Sequence, residues 1–188
     1  MVLGVGLGFS PQDCEFAKVN WHRRQKIADE TLKGVRRLTS KAQPGKAQKS
    51  AKPNRAVVEW MCAEKRSIPL WVAAQWNEGY AVGPLKRTAL YGDCFFPSQP
   101  SVEGYAVAQN KIREYALSNS RNPEEIEWAC MMVFCLGENK NDAKKMFEAH
   151  PFAPHLHSHL AALGRPEELI EKIEHFVELG VNHFVFLP

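Results

Sequence analysis

Short apolar runs alternate with amphipathic stretches along the whole chain. Five of these runs predict strands, because each is apolar on both faces and is bounded by glycine, proline or charged residues. They occupy residues 2–9, 69–74, 93–96, 126–136 and 181–187, and Pro97 is expected to end the third. Strands that are apolar on both faces are typical of a parallel sheet covered by helices.

The stretches between these runs carry apolar residues at helical spacing. They predict helices over residues 16–38, 102–117 and 141–148, one that ends near Tyr91, and a last one from Pro166 to Gly180. Alternation of strands and helices predicts an α/β fold built from parallel βα units. Ligands of such folds bind at the carboxyl ends of the strands, so we expect a site in the loops that follow them.

Composition narrows the class of protein. The chain has 188 residues, of which 45% are hydrophobic and 24% charged, as in an ordinary globular protein, and its length predicts a single domain over residues 1–188. It has no apolar run of 18 residues, so we expect no membrane span. Its five cysteines are scattered and its first residues do not resemble a signal peptide. We therefore expect reduced thiols and a cytoplasmic location.

Positive charge is concentrated in one segment. Between Glu30 and Glu59 there are eight basic residues and no acidic one, whereas the rest of the chain has 16 basic and 21 acidic residues. Residues 39–55 within this segment are rich in alanine, serine, proline, glycine and glutamine, which predicts a flexible, solvated loop. Because the loop has no aromatic residue for base stacking, we expect no nucleic-acid partner.

Three segments, in this order and spacing, resemble the luciferase-like monooxygenases, a family of flavin- and deazaflavin-dependent oxidoreductases. The first begins with Pro11-Gln12-Asp13-Cys14-Glu15-Phe16 and continues through Val19-Asn20-Trp21 and Arg24 to Asp29-Glu30. The second is Ile68-Pro69-Leu70-Trp71-Val72-Ala73-Ala74-Gln75, followed later by Gly92-Asp93. The third runs from Gly164-Arg165-Pro166 to Gly180-Val181-Asn182-His183-Phe184.

The resemblance implies a fold and a chemistry. The fold would be a partial (β/α)8 TIM-barrel-like domain, in which the matched segments resemble strands four to eight and the N-terminal three units are absent. The activity would be hydride transfer through a bound cofactor, either a deazaflavin coenzyme of the F420 type or FMN. The partners would be a small-molecule substrate and a second copy of the chain in a homodimer, with neither nucleic acid nor membrane.

The resemblance also implies candidate cofactor-binding residues. Ala74, Gln75, Trp76 and Asn77 would lie by the cofactor phosphate or the ring edge, where Trp76 either stacks on a ring or covers an exposed edge. Gln12 and Asp13 fall where the family has polar residues near the cofactor, although Asp13 is also a good helix N-cap. No catalytic residue is assigned.

Some positions depart from the family pattern. Leu7 stands where bacterial luciferases carry an arginine for the flavin phosphate, which favours a deazaflavin branch or a weakened site. Lys18 and Cys94 occupy positions at which the family usually has glycine. Arg24 is expected to form a structural ion pair with the acidic residues Asp29 and Glu30.

Histidines and cysteines outside the resemblance receive structural interpretations. His150, His155, His157 and His159 form a cluster, but no cysteine or carboxylate accompanies them at ligand spacing. We therefore expect a solvated loop and no metal site. Cys130 and Cys135 are expected to point to opposite faces of one strand as core thiols.

Two other functions are compatible with this sequence. The chain could be a shortened, catalytically inactive relative that serves as a dimerisation or interaction module, because five strands of a barrel leave unpaired edges that favour association. It could also be a gene fragment.

Overall fold

The structure is a computed structural model, and it describes residues 2–8, 10–39, 68–75 and 79–188. The chain divides into two compact units, residues 1–70 and 71–188, which are described separately. The predicted basic loop, residues 39–55, lies outside the described residues except for Thr39. The single domain over residues 1–188 stays a prediction.

The first unit contains one short strand and two helices. Its elements are β1 (Leu3–Val5), α1 (Pro11–Phe16), a 3-10 turn (Trp21–Arg23) and α2 (Arg24–Thr39). The prediction of one helix from residue 16 was therefore wrong at its start. Lys18 has a left-handed φ of 55°, which interrupts the helix, and the Asn20 side chain accepts a hydrogen bond from His22 N at 2.9 Å to begin the 3-10 turn.

The second unit repeats strands and helices. Its elements are β2 (Leu70–Gln75, with Leu70 the last residue of the first unit), α3 (Val82–Tyr91), β3 (Cys94–Ser98), α4 (Val102–Ser118), β4 (Glu127–Leu136), α5 (Lys140–Ala149), β5 (Ala162–Gly164), α6 (Pro166–Glu178) and β6 (His183–Leu187). In the described part of the chain, no helix is long and apolar enough to cross a membrane.

Strand β4 is the centre of a parallel sheet. Strand β3 pairs with both β2 and β4, while β4 also pairs with β6 through residues 129–133 and with β5 through residues 134–136. All these pairs are parallel, which confirms the predicted α/β fold class.

Two details of the sheet differ from the prediction. Pro97 does not end β3, because Ala74 still pairs with Pro97 and Gln75 with Ser98. A proline removes only one N–H from a parallel ladder, and the flanking residues keep the strand extended. The short strand β5 was not predicted, since three residues are too few to show a pattern, and it forms by pairing with β4.

The main core lies between the sheet and helices α3, α4 and α6. Phe95, Trp128 and Met132 from the strands pack in this core with Tyr105 of α4 and Phe176 of α6. The Tyr105 hydroxyl donates a hydrogen bond to the carbonyl oxygen of Ala129 at 3.0 Å, so its burial leaves no unpaired phenol. A smaller cluster covers the region where β4 meets α5 and β5.

Aromatic rings fill the amino end of the sheet on its other face. The Trp71 ring lies 5.2 Å from the rings of both Phe96 and His183, measured between centroids. His183 Nε2 lies 3.3 Å from Glu127 Oε2 at the same end. Because this end is filled by side chains, the carboxyl ends of the strands are the place to examine for a ligand.

Candidate functional site

The carboxyl ends of β2 and β3 place two polar side chains next to each other. Gln75 is the last residue of β2 and is exposed, and it pairs in register with Ser98, the last residue of β3. Ala74, one residue earlier, is buried among the side chains of the main core. Of the two adjacent candidates, Gln75 therefore offers a side chain at this edge, whereas Ala74 offers only its backbone.

The described residues just before helix α3 include a glycine with a left-handed backbone and a helix start without a side-chain cap. Gly79 has a φ of +140°, and no other described atom lies within 4 Å of the position that a Cβ would take. Helix α3 then begins with Ala81 as its N-cap, and alanine has no side-chain acceptor for the first N–H groups. Trp76 and Asn77 lie outside the described residues, so their contact with a cofactor stays a prediction.

The other two candidates, Gln12 and Asp13, belong to the first unit. Ser10 is the N-cap of α1, and its backbone N donates to Asp13 Oδ2 at 3.0 Å while Asp13 N donates to Ser10 Oγ at 3.3 Å. Asp13 is thus the third helical residue, at the N3 position of a capping box, and not the N-cap itself. Gln12 is exposed on the same short helix. The role of both residues toward a cofactor stays a prediction.

Arg24 makes two contacts with Trp21 at the start of α2, while its predicted ion pair with Asp29 and Glu30 stays a prediction. Its guanidinium lies 3.3 Å from the centroid of the Trp21 ring, and its Nη1 donates to the Trp21 carbonyl oxygen at 2.7 Å. Arg24 is therefore held by a cation–π contact and a backbone hydrogen bond. This arrangement gives it a structural role at the start of α2.

A buried glutamine just beyond β3 was not singled out from the sequence. Gln99 is 3% exposed, and its backbone N donates to the Met131 carbonyl oxygen at 2.9 Å. Its side-chain Nε2 donates to the carbonyl oxygen of His157 at 3.1 Å, and its Oε1 accepts from His157 N at 3.0 Å. The polar run Ser98-Gln99-Pro100-Ser101 after an apolar strand was the one signal available, and it does not reveal a partner 58 residues away.

This glutamine holds the segment that carries most of the histidines. The segment contains 3-10 turns at Ala153–His155 and Ser158–Leu160, and the rings of His157 and His159 are 5.7 Å apart. Among the described residues, no group of three or more His, Cys, Asp or Glu side chains is arranged to hold a metal ion.

Two thiols are buried within the strands, Cys94 at the amino end of β3 and Cys130 in β4. Burial raises the pKa of Cys94 to about 12, and the charges of Glu127 and Asp93 add to this shift. Burial also raises the pKa of Cys130 to about 12, although the positive charge of Lys172 opposes it. Both thiols stay protonated near neutral pH, so neither is poised as a nucleophile.

Comparison with known proteins assigns the family. Residues 1–158 match the family described as luciferase-like monooxygenase. The chain belongs to the luciferase-like monooxygenase family. The sequence resemblance on which the site candidates rest is thereby confirmed. No curated protein sequence matches the chain.

Solved structures agree with this luciferase-like fold. An F420-dependent secondary alcohol dehydrogenase with an F420-acetone adduct has a TM-score of 0.63 at 18% identity, covering 87% of this chain and 56% of its own. The monooxygenase RslO1 from Streptomyces bottropensis has a TM-score of 0.65 at 16% identity, covering 98% of this chain and 60% of its own.

An F420-dependent tetrahydromethanopterin reductase from Methanopyrus kandleri shares the fold as well. It has a TM-score of 0.57 at 15% identity, covering 100% of this chain and 68% of its own. The chain thus spans between about half and two thirds of the length of these luciferase-like structures.

Proposed function

We propose that the chain binds a flavin-type cofactor, FMN or F420, at the carboxyl ends of β2 and β3 and takes part in two-electron oxidation or reduction of a small molecule. The observation that carries this proposal is the left-handed Gly79 and the start of α3 without a side-chain cap, which follow β2 along the chain, in a chain of the luciferase-like family. Flavin and F420 enzymes with the same fold support the choice of cofactor.

The donors at the start of α3 fit a phosphate. The first-turn N–H groups of Val82 and Gly83 have no partner within the helix, whereas Pro84 has no N–H to leave unpaired. A helix N-terminus carries partial positive charge, which favours an anion. Among the described residues, no atom lies within 4 Å of the Gly79 Cβ position, which would let a phosphate approach this backbone closely. The residues present are therefore compatible with the phosphate of FMN or F420.

Polar groups at the neighbouring edge fit the ring of such a cofactor. The exposed amide of Gln75 can both donate and accept hydrogen bonds, and Ser98 beside it offers a hydroxyl. When bound, a flavin or deazaflavin ring supplies the hydride chemistry, and the protein orients it. Trp76 and Asn77 are proposed to complete this edge.

Cofactor titration tests the proposal. Purified protein at micromolar concentration is titrated with FMN and, separately, with F420, and cofactor fluorescence is followed. We expect saturable binding of one of them, with F420 favoured because Leu7 replaces the arginine that holds a flavin phosphate in bacterial luciferases. The absence of any saturable change with either cofactor would overturn the proposal.

A matched pair of glycine variants localises the binding. Gly79 and Gly180 both have positive φ and both lack a described neighbour within 4 Å of a Cβ position, but Gly180 follows α6. Replacing either by alanine strains the backbone by about 1–3 kcal/mol. We expect Gly79→Ala to weaken cofactor binding about tenfold or more and Gly180→Ala to leave it unchanged within about twofold.

A second candidate function is self-association, with or without catalysis. Within the described part of the second unit, β6 pairs with β4 alone, and its Val185 and Phe186 side chains are 40% and 44% exposed. An apolar strand edge of this kind favours pairing with another chain. This observation supports a homodimer, which stays a proposal. The cytoplasmic location also stays a proposal.

A further inference from the structure

We propose that Gln99 is a positioning residue that holds residues 157–160 as one wall of the cofactor site. This inference rests on the proposed function, because the wall is assigned to the same carboxyl edge of β2 and β3. It adds a residue and a segment that lie outside the candidate cofactor-binding set.

The side-chain amide of Gln99 forms the pair of hydrogen bonds that the backbone of a neighbouring strand would form. It donates to the His157 carbonyl and accepts from the His157 N–H, at 3.1 Å and 3.0 Å, as a neighbouring strand would do. The histidine segment is thereby attached to the end of β3, although the two are 58 residues apart in sequence. Near-complete burial of Gln99 excludes the water that would otherwise compete for both hydrogen bonds.

The backbone of Gln99 is unusual in a way that fits a positioning role. Its φ of 45° lies in the left-handed region, which is strained for a residue with a side chain. Its N–H nevertheless reaches the Met131 carbonyl oxygen at 2.9 Å and stays attached to β4. A strained residue that is held on both its backbone and its side chain is typical of functional sites.

A second polar side chain fixes the other end of the segment. Lys172 of α6 donates from Nζ to the carbonyl oxygen of Leu160, the last residue of the 3-10 turn. Lys172 is half-buried, and this burial lowers its pKa. The segment is therefore attached at His157 by Gln99 and at Leu160 by Lys172, which leaves it little freedom to move.

The held segment lies beside the proposed cofactor edge. Gln99 directly follows Ser98, and Ser98 pairs with Gln75 on β2. The hydrogen bonds to His157 therefore attach the segment to the residue that directly follows Ser98. Within this segment, His159 is exposed and His157 is half-buried. Their imidazoles are polar groups that can contact an anionic cofactor.

Gln109 provides a matched control within the same unit. It is also 3% exposed, and its Nε2 donates to the carbonyl oxygen of Leu179 at 2.9 Å, 70 residues away. This contact lies after α6 and before β6, at the amino end of a strand. Gln99→Met and Gln109→Met each remove a buried amide while keeping an unbranched side chain of similar volume.

The experiment measures two quantities on the full chain carrying each substitution. Amide exchange of His157 reports the hydrogen bond to Gln99, and fluorescence titration reports the Kd for whichever of FMN or F420 the unsubstituted chain binds. We expect Gln99→Met to accelerate exchange at His157 and to raise the Kd about tenfold. Gln109→Met should lower stability comparably while changing the Kd less than about twofold.

Two outcomes would overturn the inference alone. One is a Gln99→Met chain that loses protection at His157 but binds the cofactor as the unsubstituted chain does. The other is an equal loss of affinity in Gln99→Met and Gln109→Met, since general destabilisation would then explain both. Failure of the unsubstituted chain to bind either cofactor is a different result, because it overturns the proposed function and this inference together.

Discussion

Burial of Cys94 and Cys130 makes the unfolding free energy of the protein depend on pH in the alkaline range. Both thiols are 0% exposed, and burial raises the pKa of each to about 12. In the unfolded chain a thiol ionises near pH 8.5. Above that pH the unfolded state loses protons that the folded state keeps, so stability falls as the pH rises from about 8.5 toward 12.

We therefore predict that alkaline pH destabilises the protein through these thiols. Between pH 7 and about pH 10.5, each should cost about 3 kcal/mol of unfolding free energy, measured by urea denaturation. Cys130→Ala should reduce this pH-dependent loss. Cys135→Ala is the control, because Cys135 is only half-buried and its substitution should change the loss much less. Equal pH dependence in the Cys130→Ala and unsubstituted chains would contradict the prediction.

Lys18 illustrates what one residue of sequence can and cannot reveal. It stands where the family usually has glycine, and the structure gives it a φ of 55°. Glycine adopts that conformation without strain, which explains the family preference. The sequence identified the unusual residue, but the helix break that accompanies it was not predicted, because the flanking residues keep a helical pattern.

At the scale of the element, Arg121 ends helix α3. Its Nη1 donates to the carbonyl oxygens of Thr88 and Ala89, each at 3.0 Å, and its Nη2 donates to Gly92 at 2.5 Å. The last carbonyls of a helix lack partners within the helix, although Thr88 O also accepts from Gly92 N at 3.0 Å, and a positive charge at this end is favourable. One side chain thus satisfies the end of α3 and the start of the turn into β3.

We predict that Arg121→Met lowers the unfolding free energy by about 2–3 kcal/mol, because it leaves three partly buried carbonyls without this donor. The measurement is urea denaturation at neutral pH. Arg113→Met is the control, since the Arg113 guanidinium lies over the Trp128 ring at 5.1 Å and makes a weaker contact. Its loss should cost less than about 1 kcal/mol. A cost for Arg121→Met no greater than for Arg113→Met would contradict this assignment.

The elements that were predictable are those whose signal is local. The five apolar runs became strands, and α4, α5 and α6 begin within one residue of their predicted starts or at them. Strand β5 has only three residues, Ala-Leu-Gly, which carry no β-strand preference as a group. It exists because β4 offers residues 134–136 as partners, and such a partner is not visible in the sequence.

The site divides in the same way. The family pattern indicated Gln75, and the structure places its side chain at the strand edge. Ala74 was indicated with it, yet strand alternation turns its methyl group into the core. The Gln99 contact with His157 depends on tertiary packing across the unit, so no periodicity or spacing could have predicted it.

At the scale of the whole molecule, the edge of β6 predicts association. Val185 and Phe186 expose apolar surface on a strand that has no charged residue between His183 and its end. A lysine on an edge strand opposes pairing between chains. We predict that the protein is a dimer by size-exclusion chromatography with light scattering and that Val185→Lys shifts it to monomer.

The control for this prediction is Val177→Lys on α6, where the valine is 53% exposed but lies on a helix. It should leave the dimer intact. A monomeric unsubstituted chain, or a Val185→Lys chain that dimerises as well as the unsubstituted one, would exclude β6 as the interface.

The chain spans 56% of the F420-dependent secondary alcohol dehydrogenase that shares its fold. Cofactor binding by this length of chain is therefore the central claim. Two-dimensional NMR of the backbone amide N–H groups, recorded during titration with FMN or F420, tests it most directly. We predict saturable shifts that are largest at Gln75, at the strand edge, and at Val82 and Gly83, at the start of α3. Unchanged amide signals at saturating cofactor, or shifts confined to residues away from this edge, would contradict the claim.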